Sequence, residues 1–366
     1  MMNFLDIPSE VLLMVGEYLS IKDLSCTRKT CRLLSSLLAR RHYQLGVQNV
    51  GKLTALQWAA VRGHGSLAKQ AILSGAEIEK QNELGQTPLH LAASGNHPDV
   101  IRILLEHGAR ISSQDSTQMT PLHYAVSCME AEATVLLLQL GAETMCEDAS
   151  GDTPAFYAAS MGGVACMEAF VNAGFDLNTR RHNSQTILHA AAYRSDGMMG
   201  YLLGQKEVKM AINAQDCFGA TPLHLVLNSG SLRLLLNHGA DMEVKDMRGD
   251  TPAHDAASRW DVSCMRAFID AGFDVSTRGH LGRTVLHSAV SNEETTMVAY
   301  LLLEGGGKAI INTRDSDGLT PLEMALESKF VGEEVINILI KCGADPKMRK
   351  GRPKQRENRC YKTSPN

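Results

Sequence analysis

Thr87-Pro88-Leu89-His90-Leu91-Ala92-Ala93-Ser94-Gly95-Asn96-His97-Pro98-Asp99-Val100-Ile101-Arg102-Ile103-Leu104-Leu105-Glu106-His107-Gly108 is the stretch that decides the fold. Thr ahead of Pro marks a helix start, because the hydroxyl accepts an orphan backbone N–H and Pro fits the first helical position, where no N–H is needed. Leu89 opens a buried stripe, and Ala92 and Ala93 continue it with side chains small enough for a neighbouring helix to come close. A turn follows at Asn96-His97, then a second run from Val100 to Leu105 with apolar residues at helical spacing. Gly108 ends that helix in the left-handed conformation.

The same text returns along most of the chain. Its opening Thr stands at 54, 87, 120, 153, 186, 221, 251, 284 and 320, at spacings of 33, 33, 33, 33, 35, 30, 33 and 36, which makes nine units. Asp115, Asp148, Asp216, Asp246 and Asp315 lie five residues before their Thr, and Gly85, Gly151, Gly219, Gly249, Gly282 and Gly318 lie two before, so each unit is led by a turn. The unit at Thr221 is three residues short between its helices, and those at Thr186 and Thr284 carry additions after the second helix. A longer period lies over the short one: shifting the chain by 98 residues sets Thr153–His189 on Thr251–His287 with 21 identities in 37. A block of three units was duplicated. Tyr157, Met161 and Gly162 in the first copy became Asp255, Arg259 and Trp260 in the second. Either the exposed positions drifted because surface changes cost little, or they diverged to contact a ligand.

Residues 50–346 resemble the ankyrin repeat, on the strength of this nine-fold Thr-Pro-Leu-His theme. The resemblance implies a predominantly all-α chain, a curved solenoid of stacked helix pairs with β-hairpin tips, over residues 54–346. Helices this short are marginal alone, so each unit must be stabilised by the next. Ankyrin proteins bind partners through inner helices and tips. The residue types that dominate interface energetics, aromatic side chains and Arg, then single out Tyr157, Tyr193, Arg194, Phe218, Arg248, Arg259, Trp260 and Arg283 as the expected protein-substrate contacts, with Leu281 added as a tip residue that differs between the duplicated copies. Trp260 could equally cover the shortened turn of the preceding unit.

Residues 1–43 stand outside the repeats and read as three short helices, with apolar positions at 11, 12, 15, 18 and 19 on one helical face. So short a segment buries little surface by itself and needs a second surface, either the first repeat or another protein. Ile7-Pro8-x-Glu10-Val11-Leu12, then Tyr18-Leu19, Asp23-Leu24 and Thr30-Cys31-Arg32-Leu33, resembles an F-box. Ile7 and Thr30 replace the usual Leu and Val. The resemblance implies docking on the Skp adaptor, and through it the cullin, of a ubiquitin ligase by Leu5, Ile7, Pro8, Val11, Leu12, Val15, Tyr18, Leu19 and Leu24. The repeats would then hold the substrate, and the chain would act as a monomer within a larger complex. Residues 44–53, not a Gly/Ser string, form a short, fairly stiff junction.

Composition narrows the remaining classes. The chain has 366 residues, 44% hydrophobic and 21% charged, with no uninterrupted apolar window of about 18 residues, so a soluble, non-membrane protein is expected. Met1 to Glu10 carry Asp6, Pro8 and Glu10 and no basic leader, so no secretory signal is expected. The net charge of -4 hides an uneven distribution: +2 over residues 1–50, -13 over 51–346 and +7 over 347–366. An acidic body repels phosphate backbones, and nucleic acid is not an expected partner. The basic tail, 347–366, reads as disordered, with a nuclear import signal or a minor-groove hook as alternatives. Nine cysteines without a Cys-x-x-Cys pair fit a reducing compartment, the cytoplasm or nucleus. Ten of the thirteen histidines belong to repeat motifs, helix ends or turns, and His42, His182 and His280 have no ligand-spaced partner, so no metal is expected. Gly305-Gly306-Gly307-Lys308 lacks the spacing of a phosphate loop, and no catalytic motif is present. No cofactor and no enzymatic activity are expected.

Overall fold

The structure is a computed structural model describing residues 53–127, 131–161, 163–181, 183–193, 196–259, 261–328 and 330–346. The whole F-box-like segment, Leu5 to Leu24 included, lies outside the described residues, as do Arg194, Trp260 and the basic tail. The chain packs as two compact units that divide between residues 182 and 183.

In the first unit, four helix pairs follow one another: α1 (Ala55–Arg62) with α2 (Gly65–Leu73), α3 (Pro88–Ser94) with α4 (Pro98–Glu106), α5 (Pro121–Ser127) with α6 (Ala131–Gln139), and α7 (Pro154–Met161) with α8 (Val164–Asn172). The first helices α1, α3, α5 and α7 pack side by side in one layer, and the second helices α2, α4, α6 and α8 in another. Alanine makes this possible: Ala59, Ala60, Ala92, Ala93 and Ala125 are fully buried where inner helices meet. Phe156 and Phe170 fill the space between layers.

The second unit repeats the plan with α9 (Ile187–Ala191) and α10 (Asp196–Gly204), α11 (Pro222–Leu225) and α12 (Ser229–Asn237), α13 (Pro252–Ala257) and α14 (Val262–Asp270), α15 (Val285–Ser291) and α16 (Thr295–Leu303), and α17 (Pro321–Glu327) and α18 (Glu333–Lys341). Its irregularities fall where the spacing is irregular. The shortened repeat leaves α11 only four residues, and Asn228 then caps α12 by accepting the Ser231 N–H at 2.7 Å. The two additions close as 3-10 turns, Glu207–Ala211 and Gly307–Ile310, pinned by buried Val208 and Ile310. The Gly305–Lys308 stretch is thus an inter-repeat turn.

What locks repeat to repeat within each unit is the motif histidine. The backbone N–H of Thr120 can only donate, and it lies 3.0 Å from His123 Nδ1, so the ring proton sits on Nε2 and is donated to the Asp152 carbonyl of the next tip at 3.0 Å. His90, His189, His224, His254 and His287 reach the carbonyls of Met119, Ala220, Asp250, Arg283 and Leu319 in the same way. Gln57 does the same work in the first repeat, with Oε1 accepting the Thr54 N–H and Nε2 donating to Lys80 O. Phe156 replaces the histidine in the fourth repeat and supplies no ring N–H. Thr153 Oγ1 is buried there without a partner, and the Arg181 guanidinium lies over the Phe156 ring at 5.6 Å.

The tips differ from the expectation of β-hairpins. No strand occurs among the described residues, only an isolated bridge at Leu53. The cause is the tip aspartate, whose Oδ1 takes the N–H groups two and four residues on, as Asp246 does for Arg248 and Asp250 at 2.9 Å each. This closes a tight turn whose remaining N–H bonds sideways to the adjacent tip, Met247 N–H to Phe218 O at 2.9 Å.

Candidate partner-binding surface

Those of the expected contact residues that fall among the described residues sit on inner helices, in the turns that follow them and on tips, and the structure treats them unequally. In the first unit Tyr157 is half-buried on α7, edge-on to the His123 ring with centroids 6.1 Å apart. The equivalent position, four residues after each opening Thr, carries Trp58, Leu91 and Tyr124 in the preceding repeats, all half-buried. Four adjacent inner helices thus share one apolar and aromatic row. Tyr124 is held in it by a hydrogen-bond chain: Gln86 Nε2 donates to its hydroxyl at 2.8 Å, and that hydroxyl donates to Asp115 Oδ2 at 2.7 Å. Burial works against the Asp115 charge, but the bonds from Tyr124, Thr117 and Met119 hold its carboxyl below the usual range. Trp58 and Leu91 escaped the choice of contact residues; setting all nine repeats in one register is the signal that exposes them.

In the second unit Tyr193 stands partly exposed in the turn after α9. Phe218, Arg248, Leu281 and Arg283 lie at the tips. Phe218 and Met247 are 67% and 76% exposed on adjacent tips, and Leu281 is 41% exposed on the next. Arg248, beside Met247, donates from Nε to Asp246 and from Nη2 to Asp255 at 2.9 and 3.0 Å, yet its side chain is 62% exposed. The guanidinium lies on top and its carboxylates beneath. Asp255 is buried on α13; burial pushes its carboxyl up, against the opposing pull of Arg259 and Arg248.

Arg259 and Arg283 are turned to the fold itself. Arg259 Nη1 donates to the His224 carbonyl at 2.7 Å, filling the place that the shortened repeat vacates at the end of α11. Whether Trp260 covers that turn as well lies outside the described residues. Arg283 approaches buried Asp315 Oδ2 at 3.6 Å.

The tip that carries Leu281 is built differently. Gly279 stands where five of the other tips have Asp, and a Cβ there would lie 2.4 Å from Asp250 Oδ1 and 2.7 Å from His254 Cδ2. Asp250 instead accepts the His280 N–H at 2.8 Å, and the turn closes through Arg283 N–H to His280 O. Leu281 (φ 53, ψ 27) and Gly282 (φ 66) are its two central residues, both left-handed, as in a type I′ turn.

Among the described residues no group of three His, Cys, Asp or Glu side chains could hold a metal ion, and no helix is long and apolar enough to cross a membrane. The surface can bind by shape, apolar contact and charge.

These features define a repeat protein of stacked helix pairs led by hydrogen-bonded turns. A family model described as ankyrin repeats in three copies matches residues 24–115, 56–148, 130–214, 206–279 and 261–350, and the chain belongs to the ankyrin-repeat family. It is 28% identical over 182 residues to the nuclear factor NF-kappa-B p105 subunit of Gallus gallus, covering 49% of this chain and 15% of that protein. It is 32% identical over 164 residues to the B-cell lymphoma 3 protein homolog of Mus musculus, covering 43% and 34%. With the E3 ubiquitin-protein ligase KEG of Arabidopsis thaliana it shares 30% identity over 156 residues, covering 41% and 9%. The chain therefore spans about a third of these relatives' length or less.

Proposed function

We propose that the chain is a non-catalytic recognition subunit: its repeats hold a protein substrate, and its N-terminal segment docks on the Skp adaptor of an SCF-type cullin-RING ubiquitin ligase in the cytoplasm or nucleus. The binding half rests on one observation, the solvent-exposed apolar row of Phe218, Met247 and Leu281 on successive tips. Large apolar side chains left open to solvent on successive tips form the kind of surface patch that marks an interaction site. The docking half rests on the sequence Ile7-Pro8-x-Glu10-Val11-Leu12 with Tyr18-Leu19, Asp23-Leu24 and Thr30-Cys31-Arg32-Leu33. One relative similar in its repeats is named a ubiquitin ligase, which is compatible with this reading. Such a subunit would act by position, raising the local concentration of a substrate lysine near the charged ubiquitin-carrying enzyme.

The test is co-purification of the intact chain with the Skp adaptor. Capture is expected, and Pro8→Ala and Leu12→Asp are expected to weaken it; failure of the intact chain to capture the adaptor removes the ligase reading. One observation favours a second reading, a non-enzymatic scaffold or inhibitor whose N-terminal helices cap the solenoid: the first family match opens at residue 24, inside the F-box-like segment.

A further inference from the structure

The tip face of the second unit carries more than exposure. Three apolar side chains, Phe218, Met247 and Leu281, stand on consecutive tips that are bonded sideways to one another, Met247 N–H to Phe218 O at 2.9 Å and the His280 ring to Arg248 O at 2.7 Å. Tips of units stacked one helix apart are spaced by about 8–10 Å. An α-helix rises 1.5 Å per residue, so residues seven apart lie about 10.5 Å apart on one face. A helix lying along the tips would present positions i, i+7 and i+14 to the three side chains in turn.

Charge chooses the kind of helix. Arg248 and Arg278 are exposed beside the row. The carboxylates that answer Arg248 lie beneath it, the Asp246 and Asp255 side chains being only 6% and 12% exposed. Arg278 Nη1 bonds to two carbonyls, Gly282 O and Arg314 O, at 2.7 Å each. The outermost layer between the Met247 and Leu281 tips is therefore guanidinium on a body of charge -13 over residues 51–346. Asp317, exposed on the following tip, ends the basic stretch.

Leu281 supplies the third observation. It is a γ-branched residue held at φ 53 in a turn position suited to Asn or Gly, with its side chain turned to solvent. Backbone strain at an apolar side chain left 41% open to solvent is the pattern of a residue kept for a contact outside the chain.

We infer that this face docks an acidic amphipathic helix whose apolar residues recur every seven positions, with carboxylates flanking them to meet Arg248 and Arg278. The inference rests on the protein-binding reading above and gives the partner's chemistry.

A fluorescent 21-residue helical peptide with Leu at i, i+7 and i+14 and Glu on both flanks is titrated against the full chain. It is compared with a peptide bearing Lys for Glu and with one whose Leu spacing is scrambled. The acidic peptide is expected to bind, more weakly as salt rises, and both controls to bind at least about tenfold more weakly. Phe218→Ser, Met247→Ser and Leu281→Asn are each expected to weaken binding by about tenfold or more. Leu281→Asn also relieves the turn, so a loss of binding in a chain that melts no lower belongs to the contact. Equal binding of the Lys peptide, binding indifferent to the three substitutions, or no binding of the acidic peptide overturns the inference. The adaptor co-purification reads a different segment, so either result can fail while the other stands.

Discussion

At the scale of single residues, Gly279 and Leu281 show how little freedom one tip retains. A methyl group at 279 would sit 2.4 Å from a carboxylate oxygen that is itself holding the His280 N–H. Gly279→Ala is therefore expected to destabilise the chain by about 1–3 kcal/mol, as overpacking does, read as a lower urea midpoint. Gly249→Ala serves as the contrast, its strain coming from φ 95 with nothing closer than 4.0 Å to the added carbon. Leu281→Asn should act in the opposite sense and raise stability by about 1 kcal/mol, because Asn tolerates the left-handed conformation that a branched side chain resists. Neither effect could be read from the sequence. Gly279 occupies the place where the motif puts Asp, and only the positions of Asp250 and His254 reveal that the space is already full. The repeat positions themselves were fully legible, since capping Thr, Pro and the stopping glycines act through local backbone chemistry; Gly108 and Gly239 take φ 93 and 91 as that chemistry requires.

At the scale of elements, the shortened repeat shows a deletion made good from a neighbour. With α11 cut to four residues, the His224 carbonyl has lost the turn that would have bonded to it, and Arg259 reaches over from the end of α13 to supply a donor. Asp255 lies four residues back, on α13 itself, 3.8 Å from Arg259 Nη2. Arg259→Met, the residue type of the first copy, is expected to cost about 1–3 kcal/mol by stranding a carbonyl and loosening a buried carboxylate. Adding Asp255→Tyr, again the first copy's residue type, should recover part of the loss, so a double-mutant cycle by chemical denaturation should show coupling of about 0.5–3 kcal/mol. Strict additivity would mean that the two side chains do not act together. The sequence marked both positions as diverged after duplication and left open whether surface drift or ligand contact was the reason. The structure adds that Arg259 and Asp255 repair the fold, while Phe218, Met247 and Leu281 on the tips do not. Periodicity locates a residue on a face; it does not say whether a neighbour three dozen residues away has already claimed it.

At the scale of the whole array, the motif histidines make stability depend on pH. Each ring accepts a Thr N–H or hydroxyl contact at Nδ1 and donates from Nε2 to the next repeat, so a second proton would set a donor against a donor. Burial lowers the pKa of His90, His123, His224, His254 and His287, that of His123 to about 4. In the unfolded chain these rings titrate near 6.5. Above that pH neither state is protonated and the full contribution is present. Below it the unfolded chain binds more protons than the folded one, so stability falls as pH drops from about 6.5 towards the folded values, by about 1.4 kcal/mol for each unit of pKa separation. Urea midpoints should hold between pH 8 and 7 and decline steadily between pH 6.5 and 4.5. The first repeat supplies the control, because Gln57 makes both bonds without a titratable ring. His123→Gln should keep most of the neutral-pH stability, losing at most about 1–2 kcal/mol, and should flatten the acid limb of the pH profile. An unchanged acid limb would remove His123 from the pH dependence and leave it to the other four rings and to the tip carboxylates, such as Asp115 and Asp246, whose pKa values are held down by hydrogen bonds and which therefore lose their contribution as pH falls below the ordinary carboxylate range.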